Sequence, residues 1–188
     1  MDTAEFYVST PTPLPPSEYG SPTRQAIYER LSSLGIPFLR VDTGDGTTME
    51  ACIPIGRKLG SPVVKTVFLT NRQHTRFYLY VMPPDRPFET RPFCDALGVA
   101  RVSFASGEQL LEMLGTPRGA TTVLSLVNDP DRKVELILDE GIASQRYISC
   151  TDGTTTGFLR MEVKDLTEKF LPSTGHPYVK IDLSDGLL

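Results

Sequence analysis

The chain has 188 residues, of which 39% are hydrophobic and 22% are charged, and its net charge at neutral pH is −4. This length and apolar content suit one domain with a normal core, and the net charge argues against non-specific coating of nucleic acid. No apolar run reaches membrane-spanning length, and the first residues, MDTAEFYVST, lack the basic and apolar parts of a secretion signal. We therefore expect a cytoplasmic protein with no membrane partner.

The cysteine and histidine content favours a protein without a metal. The cysteines are odd in number and form no CxxC pair, which suits free thiols in a reducing compartment. The chain has only two histidines, which makes a zinc site or a histidine-based triad a weak hypothesis. We expect no cofactor and no metal, and we expect a solvated turn at the acidic residues Asp129, Asp131, Glu135, Asp139 and Glu140.

The first part of the chain changes character at residue 21. Residues 1–20 contain PTPLPPSEYG, whose prolines block helix and strand ladders, so an extended arm is predicted there. Residues 21–188 are predicted to form a single domain. Ser21 as N-cap, Pro22 at the first turn and Gly35 as the stop indicate its first helix, and a short strand follows at 36–43.

The middle of the chain predicts a second helix and then a hairpin. Thr47 and Glu50 form a candidate capping box, while Pro54 predicts a short or kinked helix before Leu59. The apolar runs at 63–71 and 76–83 alternate as strands and are separated by a polar turn, which is typical of a hairpin.

The later segments predict two more helices and several strands. A helix at 90–97 is followed by a brief strand at 100–106 and by a helix capped by Ser106 and Gln109. Its predicted buried stripe is Leu110, Leu111 and Leu114. A second central hairpin is predicted at 122–138, two further strands at 146–161, a helix at 164–175 with Leu166, Phe170 and Leu171 inward, and a last strand at 177–183. Because these elements neither alternate as βαβ units nor segregate, we predict an α+β fold with a mixed, largely antiparallel sheet.

Lys65 is the most unusual residue of the first hairpin. It shares a strand face with the apolar residues Val67 and Leu69. A cation on an apolar face is costly unless it is paired, reaches water or works at a site. The residues alone leave both a solvent-reaching lysine and a functional one open.

Two turns rich in glycine and threonine are candidate ligand-binding loops. In the turn at 119–122, GATT, small residues allow backbone N–H groups to face outward, where they can bind a carbonyl oxygen, a ribose or a phosphate. The segment at 151–157, TDGTTTG, has the same character. Composition alone fits two ordinary tight turns equally well.

An ordered set of phrases spans residues 22–183. The phrases are LGIPF from Leu34, VKTVFL from Val64, LGVARVSFAS from Leu97, LG at Leu114 with GATT at Gly119, LVND from Leu126, VELILD from Val134 and TGH from Thr174. In this order and spacing the chain resembles the trans-editing aminoacyl-tRNA deacylases. That family includes the YbaK-like proteins, the editing domain of bacterial prolyl-tRNA synthetase and, as the closest branch, the free-standing Ala-tRNA(Pro) deacylases (PrdX, ProXp-ala).

The resemblance implies a fold, a reaction and partners. The implied fold is a mixed, partly barrel-like sheet surrounded by helices. The implied reaction is hydrolysis of mischarged tRNA(Pro), above all Ala-tRNA(Pro), because a synthetase rejects a smaller side chain poorly by apolar contacts alone. The tRNA(Pro) acceptor end and prolyl-tRNA synthetase are the implied partners. A deacylase for Cys-tRNA(Pro) or another mischarged tRNA, a non-catalytic tRNA- or synthetase-binding module and a small-molecule-binding domain remain open.

The same resemblance assigns candidate site residues. Lys65 is expected to hold the terminal adenosine or to orient the ester, and the Gly119 backbone to form an oxyanion hole. Water would attack the ester with help from the substrate's own 2′-hydroxyl. The expected substrate-binding residues are Met49, Cys52, Ile53, Ala120, Thr121, Thr122, Ser149, Asp152 and Gly153, with Ile55 as a further wall of the pocket.

Three departures from the family pattern bear on activity and specificity. Val123 stands where the family's GxxxP loop has proline, and Ser149 and Cys150 stand where some alanine-specific members have a histidine. The segment TGDG, from Thr43, lacks the histidine often found before the second helix. These departures leave the amino-acid specificity open and motivate the non-catalytic alternative. Cys150 has no histidine nearby in the sequence that would make it a nucleophile.

Overall fold

The computed structural model describes residues 5–184, so the first four and last four residues of the predicted arm and domain lie outside the described part. The strands are β1 Leu39–Asp42, β2 Lys65–Asn71, β3 Phe77–Met82, β4 Val102–Phe104, β5 Val134–Asp139, β6 Tyr147–Thr151, β7 Gly157–Glu162 and β8 Tyr178–Ile181. The helices are α1 Pro22–Ser33, α2 Met49–Leu59, α3 Thr90–Leu97, α4 Gly107–Leu114, a 3-10 helix Val123–Asn128, α5 Glu140–Ala143, α6 Val163–Asp165, a π-helical turn Leu166–Phe170 and α7 Leu171–Thr174.

The strands form two sheets. One has the order β1-β7-β6 and is antiparallel, and the other has the order β4-β2-β3-β5-β8 and is mixed. In the larger sheet β3 pairs with β5 in parallel and β5 pairs with β8 in parallel, while the other ladders are antiparallel. The predicted α+β class with mixed, largely antiparallel sheets and surrounding helices is confirmed. The two sheets are not closed into a barrel.

The caps of α1 and α4 and most of the buried helix residues were predicted correctly. Ser21 accepts a hydrogen bond from the Arg24 N–H, and Ser106 and Gln109 form the reciprocal capping box of α4. In α4, Leu110 and Leu114 are buried, but the prediction for Leu111 was wrong, since this side chain is 59% exposed. In the last helical segment the predicted inward residues are all buried: Leu166, Phe170 and Leu171.

The predictions for α2 were wrong in two details. Thr48, not Thr47, caps the helix, through a hydrogen bond from the Ala51 N–H. The helix also runs without a break from Met49 to Leu59 although Pro54 lies inside it. An internal proline costs one backbone hydrogen bond and about 3 kcal/mol. Burial of the face that carries Cys52, Ile55 and Leu59 offsets that cost.

The second predicted hairpin, at 122–138, does not exist. Thr122 caps a 3-10 helix over Val123–Asn128, and β5 is a parallel neighbour of β3. The run Val123 to Leu126 is buried residue after residue, and such a short apolar run has the same pattern in a buried strand and in a buried helix. The sequence therefore could not distinguish the two.

Residues 5–16 lie beside β1. The Thr12 N–H donates to the Arg40 carbonyl and the Arg40 N–H donates to the Thr12 carbonyl, both at 2.9 Å. The Arg40 side chain donates to the Leu14 carbonyl at 2.6 Å. The proline-rich segment therefore extends an edge of the smaller sheet. Within the described residues, no helix combines the length and apolar character that crossing a membrane requires.

The two sheets meet at the start of β2. The Val64 N–H donates to the Ser149 carbonyl of β6 at 2.9 Å, and β4 joins the same edge of β2 only from Leu69 onward. Between these contacts, residues 65–67 have a strand neighbour on one edge only, within the part of the chain that the structure describes. This gap in the sheet is the place where a ligand can approach the backbone of β2.

Candidate active site

A cavity of about 150 Å³ opens at the gap beside β2. Four segments converge there: the residues before and at the start of α2, the start of β2, the turn at 119–122, and the facing strands β6 and β7. The lining residues are Gly46, Thr47, Thr48, Met49, Cys52, Val63, Val64, Lys65, Thr66, Gly119, Thr121, Thr151 and Phe158. Five of the residues predicted from the sequence thus meet at one cavity: Lys65, Gly119, Met49, Cys52 and Thr121.

Lys65 lies at the edge of the cavity, and its side chain is half-buried. Its Nζ donates a hydrogen bond of 2.5 Å to the Arg86 carbonyl, which belongs to the loop between β3 and α3. Within the described residues, no carboxylate lies within 4.0 Å of this Nζ. An ammonium has three donors, so two remain for a ligand.

The turn at 119–122 lines the cavity and contains backbone donors that are unpaired within the described residues. Gly119 has φ +85°, a conformation in which other residues are strained, and a Cβ at this position would lie 2.9 Å from Cγ2 of Thr47. The Ala120 N–H donates to the Pro117 carbonyl at 3.1 Å. In the described part of the chain, the N–H groups of Gly119 and Thr121 have no acceptor. Two unpaired donors beside a cavity can hold a carbonyl oxygen that develops negative charge.

The start of α2 forms the opposite wall of the cavity. Thr48 and Met49 lie at the helix N-terminus, where the helix dipole adds partial positive charge, and Cys52 follows one turn later. Met49, Cys52 and Val63 line both this cavity and an outer groove of about 430 Å³.

The lining contains no aspartate, glutamate or histidine among the described residues. Burial raises the pKa of the Cys52 thiol to about 11, so this cysteine stays protonated near neutral pH. Burial likewise raises the pKa of Cys150 to about 12. Neither thiol is prepared to act as a nucleophile, because the thiolate is the reactive form. The cavity offers hydrogen-bond donors and one cation rather than an acid–base pair.

Asp152 and Gly153 were predicted to bind substrate, but they do not line the cavity. The Asp152 carboxylate is fully buried and accepts hydrogen bonds from Arg24 Nε at 2.8 Å and from the Tyr28 hydroxyl at 2.7 Å. Burial and the nearby carboxylate raise the pKa of Tyr28, so its hydroxyl remains a donor. Gly153 contacts α1, since a Cβ there would lie 3.3 Å from Ile27. Both residues join the turn at 151–157 to α1.

The remaining predicted residues lie around the cavity without lining it. Ile53 is 54% exposed and lines the outer groove. The others are buried, namely Ile55, Ala120, Thr122 and Ser149. Thr122 caps the 3-10 helix, and the Ser149 carbonyl joins the two sheets. The Ser149 hydroxyl has no hydrogen-bond partner among the described residues.

The sequence did not single out several lining residues. Gly46, Thr66 and Phe158 line the cavity, and so do Thr47, which the sequence had marked only as a cap, and Thr151, which belongs to the TDGTTTG segment. A Cβ at Gly46 would lie 2.9 Å from the Phe158 ring, so glycine is needed for this close approach. The only usable signal was the high threonine content of the segments around Gly46, Gly119 and Gly153.

The acidic residues at 129–140 do not all form the solvated turn that was expected. Asp129 is 4% exposed and its carboxylate accepts hydrogen bonds from the Lys133 and Val134 N–H groups and contacts His176 Nε2 at 2.9 Å. Asp139 is 2% exposed. The exposed members of the group are Asp131 and Glu135. Burial of Asp129 is explained by these partners, which the linear sequence does not reveal.

Comparison with solved structures identifies the class of fold to which this α+β arrangement belongs. A solved structure described as a candidate trans-editing enzyme for prolyl tRNA synthetase shares the fold, with a TM-score of 0.62 and 16% identity over 85% of this chain and 96% of that chain. At this identity the match shows the fold alone.

Sequence comparison identifies the family. Residues 43–169 match the aminoacyl-tRNA editing domain, so the chain belongs to that family, and the prediction of an aminoacyl-tRNA editing enzyme is confirmed. The prolyl-tRNA editing protein ProX of Acetoanaerobium sticklandii is 24% identical over 85% of this chain and 97% of its own length. The prolyl-tRNA synthetase associated domain-containing protein 1 of Mus musculus is 30% identical over 84% of this chain and 94% of its own length.

Proposed function

We propose that this protein hydrolyses the ester bond of mischarged tRNA(Pro), with Ala-tRNA(Pro) as the preferred substrate. The observation that carries the proposal is the cavity in which Lys65, the unpaired N–H groups of Gly119 and Thr121 and the start of α2 meet. The relative named as a prolyl-tRNA editing protein supports the choice of tRNA(Pro). We further propose that residues 21–188 form one editing domain.

The size of the cavity favours a small amino acid. A volume of about 150 Å³ is enough for a ligand the size of benzene, and it is far too small for a nucleotide. Only the aminoacyl group would enter, while the adenosine would stay at the mouth. Met49, Cys52 and Val63 would limit its side chain, as the second sieve of an editing reaction requires.

Catalysis would rest on position and dipoles. The aminoacyl carbonyl oxygen would face the N–H groups of Gly119 and Thr121, which stabilise the negative charge that forms when water adds to the carbonyl carbon. The substrate's 2′-hydroxyl would orient the water, because the lining holds no carboxylate or imidazole in the described residues. The 3′-oxygen then leaves with a proton, which yields the free amino acid and tRNA with a 3′-hydroxyl.

Lys65 would bind the nucleotide end of the substrate. Its ammonium has two donors left and could contact the terminal phosphate or ribose, or orient the ester. With a net charge of −4 the protein would contact few phosphates beyond the acceptor end. We therefore expect a shallow dependence of tRNA affinity on salt, and a steep one would contradict this mode of binding. Prolyl-tRNA synthetase is the proposed protein partner.

The deciding experiment is a deacylation panel with Ala-, Cys-, Ser- and Pro-tRNA(Pro). Hydrolysis of Ala-tRNA(Pro) with Pro-tRNA(Pro) left intact would support the proposal. Hydrolysis of Cys-tRNA(Pro) or another mischarged species instead would keep the reaction and change the pocket assignment. If tRNA binds in a filter-retention assay without any hydrolysis, the chain is a non-catalytic module, which Val123 and the missing family histidines already motivate.

A further inference from the structure

The geometry points to Arg86 and Asp139 as positioning residues that hold the amine of Lys65 at the cavity. This inference rests on the proposed function, in which Lys65 contacts the substrate. Arg86 lies in the loop between β3 and α3, and its backbone carbonyl accepts the 2.5 Å hydrogen bond from Lys65 Nζ. The position of the amine therefore depends on the position of this loop.

The loop is fixed by a buried carboxylate at the end of β5. One guanidinium nitrogen of Arg86 lies 2.5 Å from Oδ2 of Asp139, and the Tyr80 hydroxyl donates to the same oxygen at 2.6 Å. Oδ1 accepts the Gly141 N–H at 2.9 Å. Asp139 is 2% exposed and Tyr80 is fully buried. Both carboxylate oxygens are thus bonded away from water, and the ion pair with Arg86 is strongly held.

This arrangement holds the lysine amine by a hydrogen bond without giving it a carboxylate partner in the described residues. Its partner is a neutral carbonyl, and the negative charge of Asp139 is neutralised by Arg86 rather than by Lys65. An unrestrained lysine has a flexible four-carbon stem and loses considerable rotamer freedom when a ligand fixes it. Arg86 and Asp139 reduce that loss before the substrate binds, which is preorganisation.

A purely structural ion pair would stabilise the loop without affecting Lys65 in particular. The two roles differ in their coupling to Lys65. If Arg86 acts through the lysine, Arg86→Gln lowers kcat/KM for mischarged tRNA about ten- to a hundredfold in the wild-type background. In a Lys65→Ala background the same substitution then adds little further loss of kcat/KM. Equal losses in both backgrounds would overturn the inference.

The matched control is Arg76→Gln. Arg76 forms an ion pair with Glu135 beside β3, but both side chains are about half-exposed, at 50% and 47%. The Arg76→Gln substitution should therefore leave kcat/KM unchanged in both the wild-type and the Lys65→Ala backgrounds. Arg86→Lys, which keeps the charge, should recover part of the activity. Asp139→Asn is a second test of the same coupling in case Arg86→Gln folds poorly, as judged by its melting curve.

A chemical readout separates this inference from the proposed function. Limited reductive methylation with formaldehyde, followed by mass spectrometry, measures the reactivity of each amine without any tRNA. We expect Lys65 to react several-fold more slowly than the exposed Lys58, and Arg86→Gln to remove most of that difference while Arg76→Gln does not. If the wild type cleaves no mischarged tRNA, the proposed function fails, and the labelling still decides whether Arg86 restrains Lys65. Equal labelling of Lys65 in wild type and Arg86→Gln would refute the restraint.

Discussion

The turn at residues 119–122 and the turn at residues 151–157 are both rich in glycine and threonine, yet they differ in burial and hydrogen bonding. Gly119 is exposed at the cavity, and in the described chain its N–H and that of Thr121 have no acceptor. In the other turn the Asp152 carboxylate is buried and bonded to Arg24, Tyr28 and Thr154. The first turn leaves two backbone donors unpaired beside the cavity, whereas most polar groups of the second turn are bonded within the protein, although Thr151 also lines the cavity.

The second turn also supports the segment that precedes α2, which lines the cavity. The Gly46 N–H donates to the Thr155 carbonyl at 2.7 Å, which fixes the segment that precedes α2. A Cβ at Gly119 would lie 3.6 Å from Cγ2 of Thr155, so the two turns are in contact. Two turns of similar composition thus differ in hydrogen bonding because of their neighbours. The turn at 151–157 packs against α1, where Arg24 and Tyr28 bond its aspartate, whereas the turn at 119–122 has no such partners in the described chain.

The largest expected effect is that of Lys65→Ala on activity. Removal of a charged group at the site should lower kcat/KM for the mischarged tRNA by roughly a hundredfold or more, while the melting temperature changes little. Deacylation assays and thermal melts check both parts. Lys58→Ala is the matched control, since Lys58 is exposed on α2 away from the cavity lining. Full activity of Lys65→Ala would remove Lys65 from the site.

Asp152→Ala should affect stability instead. The change removes the carboxylate that accepts from Arg24 Nε and from the buried Tyr28 hydroxyl, and among the described residues it leaves Arg24 only the longer 3.5 Å ion pair with the half-exposed Asp42. Removing one partner of a buried ion pair costs about 3–5 kcal/mol. Denaturant unfolding measures the free energy directly. Asp131→Ala, at an exposed turn, should leave it within about 0.5 kcal/mol of the wild type. A stable Asp152→Ala protein that lacks activity would assign this aspartate to the site after all.

Gly119→Ala tests the first turn. A methyl group would be strained at φ +85° by about 1–2 kcal/mol and would also meet Thr47. We expect activity to fall about tenfold or more, because a displaced N–H loses its alignment with the carbonyl oxygen. Gly98→Ala shares the positive φ, +65°, but has no atom within 4 Å of its Cβ, so it should lose stability and keep activity. Equal kinetics for both variants would rule out a specific role for the turn.

Cys150 is a buried thiol whose pKa affects the stability of the fold at high pH. Burial holds the folded-state pKa near 12, above the ordinary value of 9.0, and the carboxylate of Asp152 adds to the rise. The unfolded thiol therefore loses its proton first, and this contribution to stability is present below pH 9 and is lost as the pH rises toward 12. The slope approaches about 1.4 kcal/mol per pH unit.

Unfolding experiments between pH 8 and pH 11 would measure that slope. Cys150→Ala should show a flatter decline of the free energy of unfolding than the wild type over this range. Identical slopes for wild type and Cys150→Ala would mean that the thiol ionises normally.

The smallest expected effect is that of Val123→Pro. Residue 123 is the first residue of the 3-10 helix, a position where proline is tolerated, and the preceding Thr122 has φ −146° and ψ 147°, which suits a residue before proline. The change restores the family's loop pattern, and the free energy of unfolding should change by less than about 1 kcal/mol, because the entropy lost by the unfolded chain is offset by altered packing of this fully buried side chain. Activity should change only a few-fold. A large gain in deacylation would show that the valine had loosened the turn at 119–122.

Much of the local structure followed from short-range signals. The bounds of α3 and the caps at Ser21 and Ser106 were predicted correctly, because they depend on a few neighbouring residues. The 3-10 helix Val123–Asn128 and the parallel pairing of β3 with β5 could not be predicted, since a buried apolar run does not reveal its partner. The same holds for Leu111, whose helical spacing fits burial although no neighbour covers most of its side chain in the described chain.

The sequence by itself determined the fold class and the family, and it singled out Lys65 and Gly119 as candidate site residues. These depend on ordered motifs and on side-chain chemistry that is visible residue by residue. The tertiary structure decided which of the two turns keeps donors at the cavity that are unpaired among the described residues, because the Asp152 carboxylate of the other turn meets Arg24 and Tyr28. It also paired Arg86 with Asp139 beneath Lys65, a contact between residues 53 positions apart that no local pattern encodes.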